Sequence, residues 1–305
     1  MKTVSNEAFE HARKYLSDHG RKLDAAWFRL VFEDGAKEDV YNELAAYRFG
    51  SGGFGRKLEP DHRTDLPSCH TTGTAFQWFE RLDLPVSDAM VKGAIGFLQE
   101  NYIESERRWP AFPKKANDDP HAVWWHFAEG EELCEAEKCW GLPSAEILGI
   151  MLKYDPQNEL WHQCFETAVE RLEEVSPQMD MNEMSCYVRM VNYLGGEKKE
   201  RMIDMLVPVL ENVIETDENK WSEYSAMPLM YINDPSSPFH DRFRESAGKN
   251  LDWETGRQTA EGCWGPNWKW WRDEEIWPEA EKEWKSYLTA EKLVILNRFG
   301  RIGKR

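Results

Sequence analysis

The chain has 305 residues, enough for one large domain, and carries 38 Lys and Arg against 55 Asp and Glu, a formal charge of −17. This acidity argues against nucleic acid and anionic membrane surfaces as partners, because both require basic patches. The N-terminal residues lack the apolar core of a signal peptide, and no run of about 18 apolar residues occurs, so we expect a cytoplasmic protein without a transmembrane segment.

Apolar residues recur at i, i+3 and i+4 along most of the chain, and period-two alternation is nearly absent. This pattern predicts an all-α protein, with Ser87 as the N-cap of its fifth helix. Two segments rich in Pro or Trp, 104–139 and 262–277, are predicted to be loops, and long ordered loops often have a function. The predicted helices span residues 6–19, 23–33, 37–47, 71–82, 87–103, 144–154, 159–175, 181–194, 198–214, 222–232, 239–257 and 278–297.

Tryptophan is unusually abundant, with 15 residues in the chain. Aromatic side chains in such numbers either seal the ends of helices or line a cavity, and we expect about half of them only to seal helix ends. The six cysteines are scattered through helical sequence and are predicted to be reduced thiols that pack in the interior.

A repeated unit is visible in the order of helix, polar side chain, glycine and aromatic residue. In 251–264 a helical stretch leads to Gln258, and Gly262 and Trp264 follow. Looser copies end at Trp109 and at Phe54. This unit resembles the QW repeat of the squalene and oxidosqualene cyclases and of the protein prenyltransferase β-subunits. The resemblance implies an (α/α)6 toroid built from antiparallel helix pairs, as a single domain over residues 1–305.

Residues 52–72 resemble a second feature of the squalene-hopene-type cyclases, in which Gly-Gly-aromatic leads to Pro-Asp-x-Asp-Asp-Thr. Setting Pro67 on the family proline places residues 68–71 on Asp-x-Asp-Asp, with His70 in place of the carboxyl that protonates an alkene. An imidazolium is a far weaker acid for that purpose. The acidic motif of the family is therefore absent.

The loop before His70 supplies other candidate groups. Asp61 and Asp65 are candidate acids, with turn formation and N-capping of the next helix as the alternative. Together with Glu59, Arg63 and His70 they form an ionisable cluster beside a helix N-terminus, where an anionic group such as diphosphate would also be stabilised.

Metal binding stays open at this point, and no metal ligand is assigned. Mg²⁺ is considered at the acidic run 117–119, although one aspartate pair is a weak signature. The prenyltransferase resemblance implies zinc, but the spacings match no zinc signature, and structural cysteines with a loop histidine are the alternative. Asp180 opens a helix and is interpreted as its cap rather than as part of an acidic motif. The residues considered for zinc are Asp65, Cys69, His70, His121, His126, Cys134 and Cys139.

The resemblance implies an isoprenoid-handling enzyme, like a terpene cyclase or a prenyltransferase, that binds a polyprenyl substrate in a central cavity lined by aromatic residues. Two alternatives stay open: a sugar-active (α/α)6 enzyme that uses a carboxylate pair from Glu59, Asp61 or Asp180, and a non-catalytic binding protein. The substrate, the cofactor and the oligomeric state stay open as well. The candidate catalytic residues are Asp61, Asp65 and His70, and the candidate substrate-binding residues are Arg63, Trp124, Trp125, Trp264 and Trp268.

Overall fold

The computed structural model describes residues 1–175 and 179–303. Over these residues the chain forms α-helices, short 3-10 turns and isolated β-bridges but no β-strand, so the all-α prediction is confirmed. The helices are α1 (Asn6–His19), α2 (Lys22–Phe32), α3 (Lys37–Ala45), α4 (Cys69–Leu82), α5 (Ala89–Glu100), α6 (Gly141–Tyr154), α7 (Glu159–Val175), α8 (Met181–Tyr193), α9 (Gly196–Val213), α10 (His240–Thr255) and α11 (Trp277–Arg298). No helix in this part of the chain is both long and apolar enough to cross a bilayer.

Predictions at α5 and at 222–232 are wrong. Asp88 rather than Ser87 caps α5, because its carboxylate accepts hydrogen bonds from the N–H groups of Met90 (2.7 Å) and Val91 (3.4 Å). The predicted helix at 222–232 is absent, and only the 3-10 turn Pro228–Met230 forms within it. Proline lacks an N–H and excludes the helical conformation from the residue before it, and Met227 is accordingly extended.

The predicted loop at 104–139 is irregular but ordered, and it contains three 3-10 turns, Lys114–Asp118, Val123–Trp125 and Glu135–Lys138. Glu137 organises it from a buried position, since its carboxylate accepts hydrogen bonds from the N–H groups of Ala111 (2.6 Å) and Cys134 (3.2 Å). These hydrogen bonds satisfy backbone N–H groups that have no partner in a helix or sheet, because the loop is irregular.

Contacts between Cα atoms divide the chain into two compact units. Unit 1 contains residues 1–43 and 214–305, and unit 2 contains residues 44–213. Closure of the helix pairs into one toroidal domain over 1–305 stays a prediction.

Unit 2 is built around α6, in which every residue except Lys153 is buried. Helices α4, α5, α7 and α8 pack against it. A helix that is apolar on all sides requires neighbours on all sides, which explains this central position. Polar links also cross the helices, and in one of them the Glu146 carboxylate on α6 accepts hydrogen bonds from Gln77 on α4 (2.9 Å) and from Arg189 on α8 (2.6 Å).

Unit 1 brings both ends of the chain together around α10 and α11. Helix α11 packs against α1, α2 and α10. The N–H of Val4 donates to the carbonyl of Arg301 (2.8 Å), and the guanidinium of Arg301 forms a salt bridge with Asp252 on α10. The buried carboxylate of Asp24 on α2 accepts a hydrogen bond from Ser286 on α11 (2.7 Å).

Each of the three repeat units ends in the same hydrogen bond, here called the turn lock. The backbone N–H of the fully buried aromatic residue donates to a hydroxyl group on the next helix that lies against it. The hydrogen bond fastens the turn between two helices to the buried face of the following helix. The repeat seen in the sequence therefore has a common structural role. The three pairs are Phe54 with Thr72 of α4, Trp109 with Ser144 of α6, and Trp264 with Thr289 of α11, each at 3.0 Å.

The turns at 48–54 and 258–264 match in further detail. In the first turn the N–H of Phe49 donates to the Gly53 carbonyl, and the N–H of Gly52 donates to the Phe49 carbonyl. In the second turn the N–H of Thr259 donates to the Cys263 carbonyl, and the N–H of Gly262 donates to the Thr259 carbonyl. The polar residue that begins each turn also reaches a neighbouring helix. The side chain of Gln258 donates to the Ala8 carbonyl on α1 (2.8 Å), and that of Arg48 donates to the Ala89 carbonyl on α5 (3.4 Å).

We expect Gly262→Ala to destabilise the protein by about 2–4 kcal/mol, through a left-handed backbone and a close contact. The φ angle of Gly262 is 87°, and a Cβ there would lie 2.6 Å from backbone atoms of His11 on α1. Urea unfolding followed by circular dichroism measures the change. The control is Gly248→Ala in α10, where a Cβ meets no atom within 4 Å. It should stabilise by about 0.5–1 kcal/mol. Equal effects of the two substitutions would contradict the proposed role of the turn.

Candidate functional site

The turn lock at Phe54 places the first turn of α4. Ser68 caps the helix, since its hydroxyl accepts the N–H of Thr71 (3.1 Å), and Thr72 donates its hydroxyl back to the Ser68 carbonyl (2.7 Å). The helix therefore begins at Cys69, and His70 lies in its first turn. The backbone N–H of His70 donates to the Ala111 carbonyl (3.1 Å), which ties this turn to the loop 104–139.

The side chain of His70 has one carboxylate and two aromatic rings as neighbours. Its Nε2 lies 3.7 Å from Oε2 of Glu59, and the two side chains keep 15% and 13% of their surface exposed. The ring centre of Trp125 is 4.7 Å away and that of Phe112 is 5.8 Å away. The arrangement brings together an imidazole that can transfer a proton, a carboxylate and aromatic faces that stabilise positive charge.

A second histidine, His62, stacks on the same aromatic cluster. Its ring centre is 4.4 Å from that of Phe112 and 5.1 Å from that of His121. Backbone hydrogen bonds hold His62 and His121 opposite each other. The N–H of Arg63 donates to the Pro120 carbonyl (2.9 Å), and the N–H of Ala122 donates to the Asp61 carbonyl (3.0 Å). The site is therefore assembled from the loop before α4 and the loop 104–139.

Burial keeps His62 uncharged. It is 2% exposed, and loss of hydration lowers its pKa to about 3, with smaller contributions from His121 and His70. Its Nδ1 accepts the N–H of Thr64 (3.2 Å). Its Nε2 is buried and has no hydrogen-bond partner in the protein, and the same holds for Nε1 of Trp125. Two buried polar atoms thus remain unsatisfied beside His70.

The candidate site residues of the loop before α4 differ in their solvent exposure. Asp61 is buried, Arg63 is half-buried and Asp65 is exposed. N-capping of α4 by either aspartate is wrong, since Ser68 occupies that position. Their roles as acids stay predictions. His62 and Phe112 were missed, because neither lies in a recognisable motif and their contacts form only when the two loops meet.

The predicted aromatic residues fall in both units. In unit 2, Trp125 contacts His70, and its neighbour Trp124 is half-buried. In unit 1, Trp264 is fully buried, and its indole N–H donates to the Glu254 carbonyl at the end of α10 (2.9 Å). Trp268 is half-buried, 5.6 Å from the ring of Tyr224 and 5.1 Å from that of Trp284. Substrate binding by these residues, as by Arg63, stays a prediction.

The described residues give no support to the zinc and Mg²⁺ alternatives. In this part of the chain no three His, Cys, Asp or Glu side chains are grouped as a metal would require. Burial raises the pKa of the Cys69 and Cys134 thiols, and that of Cys139 to about 12, so these cysteines are protonated thiols in the metal-free protein. Asn117 is engaged with the backbone of Phe127 through both its side-chain oxygen (2.9 Å) and its nitrogen (3.1 Å).

Capping of α8 by Asp180 is confirmed, because its carboxylate accepts the N–H groups of Asn182 (2.8 Å) and Glu183 (3.1 Å). The buried Glu183 has a role that the sequence did not suggest: its carboxylate accepts the N–H of Gly141 at the start of α6 (2.8 Å). Burial raises the pKa of Glu183, and the nearby Asp180 carboxylate raises it further.

Unit 1 contains a separate polar cleft of about 430 Å³ between α1 and α11. It contains none of the predicted site residues. Two glutamates and two lysines line it, so their formal charges cancel. The lining residues are Tyr15, His19, Glu261, Pro278, Glu281, Lys282 and Lys285.

The pKa of His62 predicts a pH dependence of stability. In the unfolded chain its imidazole takes up a proton below pH 6.5, whereas the folded protein resists protonation down to about pH 3. The free energy of unfolding should therefore fall with decreasing pH across this window, by about 1.4 kcal/mol per pH unit from this group. His62→Phe keeps a ring against Phe112 and should remove that slope. Urea titrations from pH 7.5 to pH 4.5 measure it, and identical slopes for both proteins would contradict the prediction.

The chain has no match among protein-family models, curated proteins or solved structures. The resemblance to the cyclase repeats therefore depends on residues 44–109 and 251–264 and on the hydrogen bonds that they form. Function has to be inferred from the site itself.

Proposed function

We propose that this protein handles isoprenoids, in the manner of a terpene cyclase or a prenyltransferase. In this proposal the helix pairs close into an (α/α)6 toroid over residues 1–305, and a polyprenyl substrate binds against the aromatic residues beside the first turn of α4. The observation that carries the proposal is the turn lock, which occurs at each of the three repeat units and matches in detail between 48–54 and 258–264.

The chemistry proposed for the site is proton transfer by His70. His70 can donate or accept a proton during a reaction, and the Glu59 carboxylate lies 3.7 Å from its Nε2. Protonation of an isolated alkene requires a stronger acid than this. We therefore propose that His70 acts on a more basic substrate atom or on a carbocation that loses a proton. The faces of Trp125 and Phe112 would stabilise positive charge during that step.

Two of the three acidic residues considered for the sugar-active alternative give it no specific support, and only Glu59 lies in the candidate site. Asp180 is engaged as the cap of α8, and Asp61 is buried in the loop that pairs with 120–122. The non-catalytic alternative differs from the proposal only in turnover, so the same experiment tests both.

We expect the purified chain to bind C15 to C35 polyprenols or polyprenyl diphosphates and to convert at least one of them. Calorimetry measures binding, and mass spectrometry of extracts, with Mg²⁺ or with EDTA, measures turnover. Glu59→Gln and His70→Ala should lower turnover by about 10²–10⁴-fold while changing Kd by less than about threefold, because they remove the carboxylate beside His70 or the proton-transfer group itself and leave the aromatic rings.

His11→Ala changes an exposed histidine of unit 1 and is the matched control, with turnover expected at the wild-type level. Binding without turnover would favour the non-catalytic alternative. If no isoprenoid binds, the proposed function is rejected.

A further inference from the structure

The two unsatisfied atoms beside His70 are both hydrogen-bond donors. The Nδ1 of His62 accepts the N–H of Thr64, so the proton of the neutral imidazole is on Nε2. The indole nitrogen of Trp125 always carries a proton. The two side chains are 2% and 4% exposed, and neither N–H has an acceptor in the protein. This site therefore presents two N–H groups that are withdrawn from water.

Two other buried tryptophans of unit 2 differ from Trp125, because each has an acceptor for its indole N–H. The indole N–H of Trp109 donates to the Leu98 carbonyl (2.7 Å), and that of Trp161 donates to the Asp155 carboxylate (2.8 Å). Buried donors without acceptors destabilise a protein and are few in native structures. A pair of them at one cluster is explained if a bound ligand supplies the acceptors.

The two rings pack on the same side chain. The centre of Phe112 is 4.4 Å from that of His62 and 4.9 Å from that of Trp125. His70 lies beside Trp125, and Glu59 lies beside His70; both are partly exposed and provide the side from which a ligand can approach. The carboxylate of Glu59 disfavours an anionic ligand here, and His62 carries no charge that would attract one.

Resting on the proposed function, we propose that this cluster binds the uncharged oxygen of a polyprenyl alcohol or carbonyl compound, with the His62 Nε2–H and the Trp125 Nε1–H as donors. The site should then prefer neutral, oxygenated isoprenoids over isoprenoid hydrocarbons and over diphosphates. The oxygen would lie close to His70, which can exchange a proton with it.

The test compares three C15 ligands, farnesol, farnesene and farnesyl diphosphate, by calorimetry in one cyclodextrin-containing buffer with the full chain. We expect the wild type to bind farnesol at least about tenfold more tightly than the other two, since neutral hydrogen bonds to buried donors contribute to affinity on this scale. Trp125→Phe keeps an aromatic ring but removes the N–H, and should reduce the farnesol preference over farnesene at least about threefold. His62→Phe should reduce the same ratio.

The control is Trp161→Phe, which removes an indole N–H that has an acceptor. It should leave the ligand preference unchanged, and it should lower Tm by about 2–4 °C more than Trp125→Phe does, because only Trp161 loses a hydrogen bond within the protein.

The outcomes separate this inference from the proposed function. Equal binding of farnesol and farnesene, unchanged by Trp125→Phe, would overturn the inference and leave isoprenoid binding intact. Preference for the diphosphate would overturn the inference of a neutral ligand. Failure of all three ligands to bind, together with equal Tm losses in the two tryptophan variants, would overturn both.

Discussion

The structure depends on one buried hydrogen bond, repeated along the chain, from the backbone N–H of an aromatic residue to a hydroxyl of a packed helix. A buried N–H must find an acceptor, and a hydroxyl can provide it while it donates to its own helix. Thr72 donates to the Ser68 carbonyl and Thr289 to the Lys285 carbonyl, so both threonine hydroxyls are held in one orientation, whereas Ser144 donates to the Trp109 carbonyl (3.5 Å). The lock therefore sets both the depth of the turn and the rotation of the helix about its axis.

The candidate site follows from this constraint. Thr72 is the locked residue of α4, and His70 precedes it by two positions in the first turn. Because the lock fixes the rotation of α4, it also determines that His70 faces Glu59 and Trp125. The second loop then completes the site, with Glu137 holding its backbone from below the surface. Thr72 and Glu137 thus determine the geometry of the candidate site without contacting a ligand themselves.

Sequence reasoning succeeded where the determinants are local. Helical periodicity predicted both ends of α1 and α7, and it failed at 222–232, where Pro228 outweighs an apolar pattern. The repeat located the turns, yet their hydroxyl acceptors lie 18, 35 and 25 residues further along, at spacings that no motif specifies. The stacking of His62 on His121 was unpredictable for the same reason, because it requires two loops to pair by backbone hydrogen bonds.

The hydrogen bonds of the indole N–H groups distinguish structural tryptophans from candidate ligand-binding ones, which the number of tryptophans alone does not. Four of them, Trp109, Trp140, Trp221 and Trp264, donate the indole N–H to a backbone carbonyl. A ligand that displaced such a ring would have to break that bond, so the expected gain from contact with it is small. Trp125 and Trp268 have buried indole nitrogens without an acceptor, and a ligand oxygen there would add a bond and break none. Of the tryptophans considered for substrate binding, these two are therefore better suited to that role than Trp264, whose aromatic ring and N–H both already serve the turn.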